Sequence, residues 1–291
     1  MLRSLKDLEG YTVTATDGDI GSVVDFFLDD QRHTVRYLVV QTGGVFSGRR
    51  VLISPVFFRD ADWSTHRFNV ALTVDKVKHS PNVDVDKPVS RQNELEYHRY
   101  YGYPYYWGDS GVWGVGAYPN GLMTGGWTEP SRERSEELSG DTHLRSAREV
   151  RGYHIQGRDE AIGHVEDFVV DDLTWQIRYL VVDTSNWWVG KKVLVAPKWA
   201  SYISWAERKV YLDLSRQAIK DSPAWDAARA VNREYEARLY DYYGRPAYWG
   251  SEDRPTATRR SNYSALDEAN VDTRAVGSAT TAAGGHWRPQ G

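Results

Sequence analysis

Apolar and polar positions alternate along residues 11–16 and again, after the turn signal Asp17-Gly18-Asp19, along residues 20–29, a pattern that predicts a β-hairpin. Residues 34–42 are β-branched and aromatic on both faces, which predicts a central strand covered on both sides. Residues 51–53 form a short strand ending at Pro55, and residues 67–72 alternate into a last one. Nothing helical intervenes before Thr73, so the close spacing of short strands and Gly, Pro and Asp turns predicts a small barrel rather than a βαβ unit.

The same pattern occurs twice. Residues 2–108 can be laid over residues 144–250 with one offset and no gap. Ile20-Gly21-Ser22-Val23-Val24-Asp25-Phe26 falls on Ile162-Gly163-His164-Val165-Glu166-Asp167-Phe168, Asp29-Asp30 on Asp171-Asp172, and Arg36-Tyr37-Leu38-Val39-Val40 on Arg178-Tyr179-Leu180-Val181-Val182. The organisation expected is barrel 1 over residues 1–80, a trailing helical segment over 81–108, a flexible linker over 109–143, barrel 2 over 144–221, a trailing helix over 222–250 and a disordered tail over 251–291. In the second copy Ser222 is positioned to cap that helix, with Pro223 in its first turn and Trp225, Ala228, Val231, Tyr235, Leu239 and Tyr242 at helical spacing, until Gly244 and Pro246 stop it. In the first copy Pro88 interrupts, leaving a helix over 90–101.

Composition narrows the chemistry. The chain of 291 residues has no cysteine, which excludes disulfides, thiolate nucleophiles and Cys-rich zinc sites. It begins without an apolar leader segment and has no apolar stretch of membrane-spanning length, so a soluble, cytoplasmic protein is expected. A net charge of -4 gives no whole-chain attraction to nucleic acid or anionic lipid. The 12 Trp and 19 Tyr, against 7 Phe, suit partly wet interfaces as well as small cores.

Ile-Gly-x-Val-x-Asp-Phe, the acidic pair and Arg-Tyr-Leu-Val-Val together resemble the PRC-barrel family, named for the cytoplasmic domain of the photosynthetic reaction-centre H subunit, over about residues 2–75 and 144–217. The Ser80-Pro81 and Ser222-Pro223 segments, with their Tyr-Tyr-Gly and Tyr-Trp-Gly endings, are similar to the stand-alone bacterial members. The resemblance implies two small SH3-like β-barrels, an all-β dominated fold with a C-terminal amphipathic helix after each, used as a protein-interaction module. It implies no shared enzymatic residue set and no cofactor, and neither copy carries the H subunit's membrane anchor.

Several constellations are candidates for chemistry of their own. Gly108-Asp109-Ser110-Gly111 spells the surroundings of a serine nucleophile but falls in the expected linker, without a rigid frame for a His base. Asp29, Asp30, Asp171 and Asp172 are the only weak candidates for a metal site, and turn-forming hydrogen bonds account for them without calcium-loop spacing. The eight histidines form no HExxH or HxxxH unit. Arg49-Arg50, Lys191-Lys192 and Arg259-Arg260 are too short as basic tracks for nucleic-acid readout.

The most pointed feature is the turn carrying Trp187 and Trp188, expected to form a partner-binding surface with Lys191 and Lys192 as its polar rim. The reading that results is a non-enzymatic tandem PRC-barrel protein acting in protein association or assembly, with a stress-linked role as a family-level expectation. The alternatives are a factor for assembly of, or electron transfer in, a photosynthetic membrane complex, with peripheral membrane contact, an RNA- or ribosome-associated factor, and an enzyme with an inter-barrel site. The repeats are expected to meet about a pseudo-twofold axis, with self-association as a homo-oligomer a further outcome, and Gly21 and Gly163 to sit where a side chain is excluded.

Overall fold

The computed structural model describes residues 1–43, 48–81, 89–107, 110–124, 143–184 and 191–249. The first repeat runs β1 (Leu2–Ser4), α1 (Leu5–Leu8), β2 (Thr12–Ala15), β3 (Gly18–Asp29), β4 (Thr34–Thr42), β5 (Arg50–Ile53), β6 (Phe58–Asp62), β7 (Arg67–Val70), α2 (Val74–Lys78) and α3 (Arg91–Tyr101). The second repeats it as β8 (Leu144–Ser146), α4 (Ala147–Val150), β9 (His154–Gln156), β10 (Ala161–Asp171), β11 (Ile177–Asp183), β12 (Lys192–Val195), β13 (Ala200–Ser204), β14 (Lys209–Leu212), α5 (Arg216–Asp221) and α6 (Arg233–Tyr243). Two seven-stranded sheets result, each a small barrel ordered β5-β4-β3-β2-β7-β6 or β12-β11-β10-β9-β14-β13. The β2–β7 and β9–β14 pairs are parallel, and the remaining pairs are antiparallel.

The seventh strand of each sheet comes from the other repeat. β1 pairs with β10, Leu2 opposite Asp171 and Ser4 opposite Val169, while β8 pairs with β3, Leu144 opposite Asp29 and Ser146 opposite Phe27. The two repeats thus exchange their N-terminal arms reciprocally. A second symmetric contact joins the tips of the long hairpins, where Val35 donates its N–H to the Trp175 carbonyl (2.8 Å) and Ile177 to that of His33 (2.7 Å).

β4 is buried from Thr34 through Val40, as its two-faced apolar sequence requires. Gly21 and Gly163 sit where strands approach closely: a Cβ at either would lie 2.1 Å from the Gln41 carbonyl oxygen or 2.0 Å from that of Asp183. α3 begins at its cap Ser90 and ends at Gly102 in the left-handed conformation (φ 73°).

Two expectations need correction. The trailing helix of the second repeat does not span 222–250. α6 starts at Arg233 with Asn232 as its cap, and the Ser222 amide instead closes α5 by bonding the Ile219 carbonyl. The segment between is drawn onto the barrel edge, Ala224 pairing with Val193 and the Trp225 amide reaching the Lys192 carbonyl at 2.8 Å, so it cannot be helical. The expected flexible linker over 109–143 is ordered at its start. Trp113 is buried there, donating from Nε1 to the Thr174 carbonyl (2.8 Å), and residues 119–124 form a 3-10 turn. Residues 125–142 and the tail 251–291 lie outside the described residues.

Candidate functional site

The exchanged arms are held by one constellation used twice. Ser4 caps α1 by accepting the Asp7 amide and donates its hydroxyl to Asp167, whose other oxygen accepts the Lys6 amide (3.3 Å). Ser146 caps α4 and donates to Asp25, which accepts the Arg148 amide at 3.0 Å. Leu5, Leu8, Ala147 and Val150 plug the junction. Arg3 lies over the Trp63 ring (3.4 Å) and Arg145 over Trp205 (4.4 Å). An ion pair joins Glu9 to Arg151, which occupy equivalent positions in the two repeats.

A second constellation, confined to the first repeat in its full form, surrounds Glu94. Its Oε1 accepts the hydroxyls of Tyr106 (2.6 Å) and Tyr37 (3.1 Å), and its Oε2 faces Arg91 (3.1 Å) and His143 (3.2 Å). Burial pushes this carboxyl up, yet His143, Arg91 and His98 outweigh it and hold it below its ordinary range. His98 is wholly buried. Burial pushes its imidazole down to about 4, so it is neutral, with Nδ1 near the carbonyls of Tyr103 (3.2 Å) and Pro104 (3.0 Å) and Nε2 facing the Tyr37 hydroxyl. Beside it Arg36 forks onto Asp29 (3.0 and 2.7 Å), bonds the Val112 carbonyl (2.7 Å) and lies between the rings of Tyr106 and Trp113.

These groups cross-link β4, α3, the segment after it and His143 at the entry to the second repeat. Their lone pairs and protons are directed at one another, an arrangement that fixes positions. In the second repeat Glu236 accepts the Tyr179 hydroxyl (2.7 Å) and faces Arg233 (3.2 Å), but Tyr240 stands where the first repeat has His98. The Glu repeated at positions 94 and 236 is the signal of this constellation that the sequence carries.

The family comparison agrees with this geometry. A model of the PRC-barrel domain matches the chain twice, over residues 2–77 and 143–218. The chain belongs to the PRC-barrel family. No curated protein matches it.

Within the two PRC barrels, the acidic positions singled out in the sequence are engaged at turns and with cations. Asp29 accepts the Gln31 and Arg32 amides as well as Arg36, Asp30 stands 3.6 Å from Arg145, Asp171 accepts the Leu173 amide (3.0 Å) and faces Arg178, and Asp172 holds the N-terminal amine and Arg3. Among the described residues one group of three side chains, His164, Glu166 and Asp183, has metal-like spacing. Glu166 already carries the ammonium groups of Lys6 (2.6 Å) and Lys192 (3.1 Å), so a divalent cation would meet two positive charges, and the cluster is read as the ion pair tethering the first arm.

Trp187, Trp188, Gly108 and Asp109 lie outside the described residues, as do Arg259 and Arg260. Lys191, expected at the rim of the Trp187 and Trp188 surface, is half-buried and donates to the Lys220 and Ser222 carbonyls, as Arg49 does to Val77 and Ser80, and so caps the end of α5. Among the described residues, exposed aromatic area is found on the outer face of β13 and β14. Tyr202, 56% exposed, stacks on Tyr211 with ring centroids 4.3 Å apart and planes 11° apart. The first repeat has Asp60 and Asn69 at these positions, hydrogen-bonded at 2.6 Å. Lys209 and His154 stand in register two residues along the paired strands β14 and β9, on the same face. Among the described residues no helix is long and apolar enough to cross a membrane.

Proposed function

We propose that this chain is a non-enzymatic interaction module of the cytoplasm, in which the exchanged arms make one rigid body of two barrels and the Tyr202–Tyr211 face of the second repeat receives a protein partner. The observation that carries the reading is this stacked pair, held open to solvent on an edge strand at the place where the first repeat is polar. The partnering of Glu94, His98 and Arg36 inside the core supports a structural role for the most perturbed ionisable groups. Immobilised wild-type chain and a Tyr202→Ser/Tyr211→Ser variant, exposed to the same lysate, test it. A partner retained by the wild type and lost by an equally stable variant supports the reading, whereas equal retention by both refutes it.

A further inference from the structure

The long hairpin of each repeat ends in a residue that enters the mouth of the other barrel. In the first barrel this residue is Trp175. Its indole is 3% exposed and packs edge-to-face on Phe58 (5.2 Å) and Phe68 (6.0 Å), which stack on each other at 4.9 Å. The backbone there is left-handed (φ 58°), a conformation a bulky side chain adopts only when its surroundings hold it.

The equivalent residue entering the second barrel is His33, also left-handed (φ 48°). Around it the wall is smaller: Ala200 replaces Phe58 and Val210 replaces Phe68, and Ile203, Ile177 and Leu28, in place of Ala61, Val35 and Val170, restore part of the bulk. The result is a cavity of about 40 Å³, open to solvent and lined by Phe168, Ile177, Leu180, Ala200 and Val210 beside His33. The polar groups at its rim differ as well. Arg3, at the first mouth, bonds Asp172 through Nε at 3.0 Å, whereas Arg145, at the second, has a buried Nε–H with no hydrogen-bond acceptor, Asp30 standing at 3.6 Å.

We propose that the mouth of the second barrel is a binding site for a flat, uncharged aromatic molecule bearing one oxygen acceptor, which occupies the place of the Trp175 indole in the first barrel and takes the Arg145 Nε–H. The walls supply apolar contact, and the charges in the lining are already compensated, Asp29 by Arg36 and Asp30 by Arg145, so a neutral ligand fits and an ionic one does not. Size sets the rest. A water needs about 10–15 Å³ and an engineered apolar cavity that takes benzene has about 150 Å³, so a ring enters only as the His33 imidazole turns out of the mouth. Burial in the mouth holds that imidazole below its ordinary pKa, a cost that is relieved when the ring turns out into solvent.

Phenol is the simplest probe, added to the full chain with thermal unfolding and ligand-observed NMR as readouts. It is expected to raise Tm of the wild type and to show saturation transfer. His33→Trp gives the second mouth the plug the first one has, and is expected to raise Tm without ligand and to weaken phenol at least tenfold. Ala200→Phe closes the same space from the opposite wall and is expected to weaken phenol equally. The proposal is overturned if phenol leaves the wild type unchanged, if it acts on the wild type and both variants alike, or if neither variant folds, since the space would then not be spare.

Discussion

Removing the Asp167 carboxylate tests the exchange of arms at its most exposed commitment, because this side chain belongs to the second repeat and its donors Ser4 and Lys6 to the first. Asp167 is 3% exposed, so in Asp167→Ala no water replaces it while the arm stays docked. Keeping the arm docked forfeits two charge-assisted hydrogen bonds, about 1.5–3 kcal/mol each. Releasing it uncovers Leu5 and Leu8, again about 1.5–3 kcal/mol each, offset in part by the conformational entropy regained by the freed residues. Release also gives up the β1–β10 pairing and the Lys6–Glu166 ion pair, so the arm stays docked in the ground state and opens more often. Chemical denaturation should show a loss of about 3 kcal/mol, and amide hydrogen exchange over residues 2–8 should accelerate roughly 100-fold while residues 144–150 keep their protection. Asp167→Asn retains an acceptor, and because burial pushes the native carboxyl up, the neutral amide escapes part of that cost; its loss should stay under about 1 kcal/mol. Unchanged stability in Asp167→Ala, or equal acceleration at both arms, would refute the reasoning.

Three further outcomes are expected. Gly163→Ala places a Cβ 2.0 Å from the Asp183 carbonyl oxygen and should lower stability by about 1–3 kcal/mol, whereas Gly10→Ala, with open space around its Cβ, should cost only about 1 kcal/mol of backbone strain; paired urea titrations separate them. His98 takes a proton near its ordinary value when unfolded and only near 4 when folded, so the unfolded chain binds more protons in between and stability falls as pH drops from about 6.5 to 4, by an amount of order 3 kcal/mol. Glu94, held low in the fold, adds a loss of the same sign once pH falls through its ordinary range, and His98→Tyr, the residue of the second repeat, should flatten the limb above pH 5 in denaturation measured against pH. Trp175→Ala should cost about 3–5 kcal/mol and speed hydrogen exchange at Phe58 and Phe68 of the other repeat, and exchange changes confined to the second repeat would contradict its placement.

The barrel strands and their repeat were legible because two-residue alternation and Asp-Gly turns are local properties. What the chain does with its ends was not. Leu2–Ser4 and Leu144–Ser146 pair equally well, by pattern, with the strand of their own repeat or of the other, and only the placement of Ser4 on Asp167 and Ser146 on Asp25 decides. Asp25 and Asp167 were visible as part of a shared signature, but a signature does not say that its carboxylate serves a different copy. Ser222-Pro223 carries every local mark of a helix start, yet the Lys191 ammonium and the β12 edge claim the neighbouring backbone, and tertiary contacts override the cap. Trp113 was assigned to a flexible stretch by its glycine-rich surroundings, and its order comes from the Arg36 guanidinium, which no linear pattern announces.

The contact between these repeats is the one two identical chains would make by swapping arms, and in such a homodimer both mouths and both outer faces would have to be the same. Covalent linkage removes that constraint while leaving the contact intact. The positions that hold the repeats together have kept their pairing, Ser4 with Asp167 and Ser146 with Asp25, and Val35 and Ile177 across the hairpin tips. The side chains that have parted are others: Trp175 and His33 in the mouths, whose carbonyls keep the tip contact, Phe58 and Ala200 behind them, Asp60 and Tyr202 on the outer faces, His98 and Tyr240 on the helices. In each of the first three pairs the residue that closes or solvates the site stands at the first barrel, Trp175 being lent to it by the second repeat, and the residue that leaves space or exposes a ring stands at the second barrel, His33 being lent to it by the first. Binding is therefore expected to concentrate on the second repeat, with the first serving as its scaffold, and variants at Tyr202 and His33 should alter association and ligand uptake where the same changes at Asp60 and Trp175 alter stability alone.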